Sequence, residues 1–139
     1  MRYQKITIVV FAMLMAFSAV VSADDDLRAP VSPSEQEQYK QLEAAKQVMF
    51  DGKYAEAHEL FKKIVADKSS KYREQALYYA ARCSFMAANY RTAWTEVNQL
   101  IDDYDESSWH DDALALKAQI RAKLREIGDE EAILEDETS

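Results

Sequence analysis

Cysteine, glycine, proline and histidine are all scarce in this chain of 139 residues, and each scarcity removes a class of protein. The single cysteine, Cys83, cannot form an internal disulfide, so no disulfide framework holds the fold. It also excludes a four-cysteine zinc site or a CxxC redox pair. Two glycines and two prolines are too few for the turns of an all-β sandwich or barrel, or for a low-complexity coil. Two histidines, His58 and His110, leave little material for a metal centre. The chain has no Gly-rich phosphate loop, no nucleophile elbow and no HExxH motif. With 25 acidic residues, any carboxylate pair chosen for general acid–base work is arbitrary. The expectation is therefore no enzyme, no catalytic residue, no cofactor and no metal.

Basic charge is in short supply as well. Seventeen Lys and Arg stand against 25 acids, a net charge of −8, whereas binding nucleic acid needs a concentrated basic surface. What remains is 48% hydrophobic and 30% charged, the profile of one small, acidic, helix-rich domain.

Residues 1–23 read as a secretory signal peptide. Arg2 and Lys5 precede an apolar stretch, Ile6 to Val21, and Val-Ser-Ala then offers small side chains for cleavage after Ala23. That stretch has 16 residues, short of the roughly 20 that span a bilayer, so no stable membrane span is expected after cleavage. Removing Arg2 and Lys5 from the 17 basic residues leaves 15 against 25 acids. Export makes Cys83 an odd thiol in a compartment that favours disulfides. Ala80, Ala81 and Phe85 around it place it in a helix interior, buried and inert.

Residues 24–32 form an acidic tether, and the apolar spacing beyond it predicts helices. Ser32 is suited to cap the first, with Pro33 at its opening position and Glu35 three residues after the cap. Gly52 ends that helix near Asp51. Further helices are expected over Tyr54–Asp67, Tyr72–Ala88 and Tyr90–Tyr104. A fifth is capped by Ser108, carries Ala113, Leu116, Ile120, Leu124 and Ile127 on one face, and ends at Gly128. Residues 33–128 are thus the helical domain. Residues 129–139 are an acidic tail expected to fray, with Ala132-Ile133-Leu134 a segment able to dock. The acids from Asp102 to Asp112 fail as an EF-hand loop, because Ser108 and Leu114 stand where Gly and Glu are needed.

Gly52-Lys53-Tyr54-Ala55-Glu56-Ala57 aligns with Ala88-Asn89-Tyr90-Arg91-Thr92-Ala93 at an offset of 36 residues. The same offset carries Ala44-Ala45 onto Ala80-Ala81 and Ile64 onto Leu100. Two helices approach closely only where side chains are small. Ala45 against Ala57, and Ala81 against Ala93, are the expected packing points, with Tyr54 and Tyr90 filling the space beside each turn.

These residues resemble the tetratricopeptide repeat family, a helix–turn–helix of about 34 residues with small residues and Tyr at set places. The matches are Ala45, Tyr54, Ala57, Phe61 and Ile64 in one unit, and Leu77, Ala81, Tyr90, Ala93 and Leu100 in the next. The resemblance covers about Gln38 to Ile127. The period of 36, the missing terminal Pro and the absent first-helix Trp depart from the pattern. Ile101 to Trp109, followed by Asp112-Ala113-Leu114, is similar to the longer repeats of bacterial envelope proteins of the outer-membrane assembly and Tol-Pal coordinator types. The resemblance implies an all-α stack of two helix pairs plus a capping helix. It further implies a concave protein-binding face formed by Leu42, Lys46, Met49, Phe50, Tyr78, Arg82, Phe85 and Met86. Lys117 and Arg121 lie one turn apart on the polar side of the fifth helix, and Arg121 would extend the basic line of Lys46 and Arg82. At helical spacing, Met49, Phe50, Phe85 and Met86 also read as core between neighbouring helices. The expected function is a non-catalytic scaffold, periplasmic or secreted, that binds another envelope protein or a peptide segment. The alternatives are a self-associating structural protein, hence a homo-oligomer, and a small-ligand or calcium-responsive module.

Overall fold

A computed structural model describes residues 33–138. The expected signal peptide (1–23), the tether (24–32) and the Ser32 cap lie outside the described residues. The described chain is all-α: α1 (Pro33–Phe50), α2 (Tyr54–Ala66), α3 (Arg73–Met86), α4 (Tyr90–Asp103), α5 (His110–Glu126) and α6 (Glu131–Glu137), with no strand among the described residues. None of these helices is long and apolar enough to cross a membrane.

Packing follows chain order, each helix from α1 to α5 lying chiefly against the next. The turns explain why. Gly52 closes α1 with φ +78°, its N–H donating to the Met49 carbonyl while Lys53 N–H donates to Val48. Ala88 closes α3 in the same way at φ +61°, with Ala88 N–H to Phe85 O and Asn89 N–H to Ser84 O. Gly128 closes α5 at φ +75°, with Gly128 N–H to Arg125 O and Asp129 N–H to Leu124 O. This paired pattern is the Schellman motif, in which a left-handed residue lets the chain satisfy the last helical carbonyls and reverse. The residues that follow Gly52 and Ala88 match closely: Lys53 has φ −87°, ψ 66° and Asn89 φ −86°, ψ 64°.

The links between hairpins also recur, at an offset of 37 rather than 36. Ser70 N–H donates to Asp67 O and its Oγ accepts from Tyr72 N–H; Ser107 N–H donates to Tyr104 O and its Oγ accepts from Trp109 N–H. Ser107, not the expected Ser108, is therefore the serine that organises the start of α5. Its hydroxyl also donates to Glu74 Oε2 at 2.6 Å, a bond across the fold to α3 that Ser108, one residue on, does not make.

Ala45, Ala57, Ala81 and Ala93 are fully buried, and the hairpins close over them. Phe61, Leu42, Leu77, Val97, Leu100, Ile120 and Leu124 fill the largest buried positions. Each such side chain contributes roughly 1.5–3 kcal/mol by leaving water. Ala44 is exposed whereas its counterpart Ala80 is buried. The difference follows from position: α3 is flanked by α2 and α4, while α1 packs mainly on α2.

Residues beyond Gly128 form α6 instead of fraying. Ala132 and Ile133 are buried and Leu134 points out. Arg91 of α4 grips the preceding turn, with Nε and Nη2 each 2.6 Å from an Asp129 carboxylate oxygen. The Arg91 guanidinium holds the Asp129 carboxyl below its ordinary range. The two-pairs-plus-cap arrangement thus gains a short second helix after a third turn of the same type.

Candidate functional site

Positions expected on one open face divide between interior and surface. Leu42 is 1% exposed and Met49 7%, so both are core side chains and present nothing to a partner. They project from α1 toward α2, where the apolar interior lies. Phe50 and Met86, 36 residues apart at the ends of α1 and α3, are 71% and 52% exposed. Phe85 is half-buried against the Tyr90 ring, 5.6 Å between centroids. Tyr54 and Tyr90 sit half-buried beside the first two turns.

The expected basic line does not run free along the surface. Lys46 Nζ donates to Glu43 Oε1 at 2.8 Å and lies 6.0 Å from the Tyr79 ring; the Glu43 bond raises its pKa. Lys117 and Arg121 turn toward Trp94 and α6. Only Arg82 of this set enters no ion pair among the described residues.

Arg82 and Tyr78 do come together. They line a cleft of about 270 Å³ between α3 and α5, completed by Asp112, Ala115, Leu116 and Gln119. One helical turn separates Tyr78 from Arg82, which places the guanidinium 5.9 Å from the phenol ring centroid, within reach of a cation–π contact. The ring is fixed from behind by Trp109, 5.1 Å away, and by Tyr79 at 5.5 Å. Tyr79 in turn stacks on Phe61 of α2 at 5.4 Å, tying the cleft wall to the core. Burial pushes the Tyr78 hydroxyl above its ordinary pKa, with Asp112 adding to the shift and Arg82 opposing it. The cleft thus offers a rigid aromatic wall, one cation, one carboxylate and one amide.

Sequence reasoning missed a second cluster. Glu96 of α4 is buried, its side chain 5% exposed, and its Oε1 lies 2.8 Å from His58 Nε2 of α2 and 2.9 Å from the donating Ser84 hydroxyl of α3. Its Oε2 has no hydrogen-bond partner among the described residues. One carboxylate therefore joins three helices, through His58 of α2 and Ser84 of α3. His110 has a buried Nδ1 without a partner among the described residues. Cys83 lies beside this cluster; burial first, then the Glu96 charge, push its thiol up to about 12. The residues 38 apart that meet here carry no local signal of their contact. Among the described residues, no three His, Cys, Asp or Glu side chains converge as a metal would require.

Comparison of the chain with models of known families, with curated proteins and with solved structures gives no match.

Proposed function

We propose that the chain is an exported scaffold of tetratricopeptide type that binds another protein of the cell envelope, periplasmic or secreted, and catalyses no reaction. The observation that carries this reading is the recurring turn: the same hydrogen-bond pattern and left-handed residue at Gly52 and at Ala88, 36 residues on. A chain that repeats its hairpin presents the same helix of each pair, here α1, α3 and α5, to a common side. The Tyr78–Arg82 cleft lies between two of those helices, with its cation free of ion pairing among the described residues. Such a cleft suits a peptide segment carrying an acid, anchored by apolar side chains. The basic-then-apolar pattern of residues 1–23 supports export.

The test is retrieval of partners from envelope extract by the tagged chain, alongside the Arg82→Glu variant. The reading predicts a protein retained by the wild type and lost from the variant at unchanged helicity and melting temperature. Equal retention by both forms would remove the cleft from the interaction.

A further inference from the structure

On the opposite side of α5 from the cleft, Lys117 and Arg121 cover the ring of Trp94 of α4. Their charged groups lie 4.8 Å and 5.5 Å from its centroid. At about 100° per residue, these two positions point away from Asp112, Ala115 and Gln119 of the cleft. The same cations hold α6. Lys117 Nζ donates to Asp136 Oδ2 at 3.3 Å, and Arg121 Nη2 lies 3.7 Å from Glu137 Oε1. Ala132 and Ile133 supply the apolar contact.

The fit of α6 to this seat is incomplete. The Trp94 indole N–H and the Arg121 Nε–H are both buried without a hydrogen-bond partner among the described residues. Buried donors lacking an acceptor are unfavourable. Beyond the Arg91 clasp on Asp129 and Glu131, α6 is held by the buried Ala132 and Ile133 and by ion pairs open to water, whose individual worth is low. Segments held this way open at the low end of a protein's local stability.

We propose that the Trp94–Lys117–Arg121 surface is a binding site for an acidic helical segment of a partner protein, and that α6 is an internal stand-in which the partner displaces. The partner brings two carboxylates for Lys117 and Arg121, a small and a large apolar side chain where Ala132 and Ile133 sit, and a carbonyl or carboxylate acceptor for the two orphaned donors. That acceptor is what allows it to compete with α6, whose tether gives it an effective concentration on the order of millimolar. A second copy of this chain is a poor occupant. Its α6 has the same sequence, leaves the same donors unmet, and arrives on a molecule of net charge −8.

The experiment titrates the full-length chain with a synthetic peptide of the sequence of residues 129–139, following the Trp94 indole N–H by NMR. In the double variant Asp136→Lys with Glu137→Lys, the internal helix is repelled from its seat. The peptide is expected to bind that variant at least 10-fold more tightly than the wild type. Adding Lys117→Glu and Arg121→Glu should abolish the gain. If the double variant loses helicity outside α6, Ile133→Ser provides the same comparison through the apolar anchor. Equal affinity for wild type and both released forms, or indifference to reversal of Lys117 and Arg121, would overturn the proposal. So would a wild-type dimer in sedimentation that the same reversals dissolve, since that assigns the seat to a second copy.

Discussion

Ala88 follows Gly52 by 36 residues and holds the same left-handed backbone, φ 61° against 78°, although it carries a Cβ that glycine lacks. The left-handed region costs an ordinary residue roughly 1–2 kcal/mol. Glycine avoids that cost but loses about 0.4–1 kcal/mol through its freer unfolded chain. Ala88→Gly is therefore expected to stabilise the protein by about 0.5 kcal/mol. Gly52→Ala should destabilise it by about 1 kcal/mol. A Cβ at Gly52 meets no atom within 4 Å, so that loss is conformational and not steric. Urea midpoints at constant m read both changes. A loss of stability in Ala88→Gly would show that the alanine bears no strain there.

The buried Glu96 carboxylate makes a coupled pair with His58. Removing one partner of a buried hydrogen-bonded charge leaves the other group desolvated, at a cost of about 1–3 kcal/mol. His58→Ala is expected to cost about 2 kcal/mol, because Glu96 then retains only Ser84. Glu96→Gln should be milder, since an amide oxygen still accepts from Ser84. The two changes share one contact, so their combination should fall short of their sum by about 0.5–3 kcal/mol. Strict additivity in the double-mutant cycle would mean that the 2.8 Å approach carries no energy.

Local signals in the sequence were enough for most helix ends. Gly52 and Gly128 mark left-handed stops, and the apolar spacing of α5 predicts its buried face of Ala113, Leu116, Ile120 and Leu124. The helix expected over Tyr72–Ala88 instead ends at Met86, because Ala88, aligned with Gly52, takes a left-handed backbone that its own helix preference does not signal. What escaped the sequence depends on distant partners. Choosing Ser107 over Ser108 requires knowing that Glu74 lies opposite. The folding of α6 depends on Ala132 and Ile133 finding a surface and on Lys117 and Arg121 lying beside Asp136 and Glu137. In the candidate site, Tyr78 and Arg82 were legible because one turn of α3 brings them together. Asp112 and Gln119 were not, because only the packing of α5 beside α3 places them in the same cleft. Leu42 and Met49 share helical spacing with the exposed Phe50, and the sequence alone does not say which side of α1 meets α2.

The thiol of Cys83 is expected to resist reagents while the protein is folded. At pH 8 a disulfide-exchange reagent should label it only at the rate of unfolding, and rapidly in denaturant. The alkaline limb follows from the raised pKa, about 12 in the folded protein against an ordinary 9.0. Between those values the unfolded chain releases a proton that the native chain retains, so stability should fall as pH rises above 9. Replacing Cys83 by Ala should flatten that part of the profile, at the cost of a small cavity. A thiol that reacts quickly at pH 8 in the native state would contradict its burial.

Arg82 and Trp109 meet the same ring, that of Tyr78, yet their variants should behave differently. Trp109 is half-buried and packs on two tyrosines at 5.1 Å and 5.7 Å. Truncating it removes part of the wall that joins α3 to α5, and Trp109→Ala should cost about 2 kcal/mol, below the 3–5 kcal/mol of a fully buried aromatic. Arg82 is exposed and makes no ion pair among the described residues, so Arg82→Ala should change stability by no more than about 0.5 kcal/mol. Loss of partner binding in Trp109→Ala is thus uninformative, since a loosened wall and a lost contact give the same result. Loss in Arg82→Ala at an unchanged urea midpoint points to recognition. If Arg82→Ala instead unfolds as readily as Trp109→Ala, the guanidinium is a structural support for Tyr78, and its contact with a partner has to be abandoned.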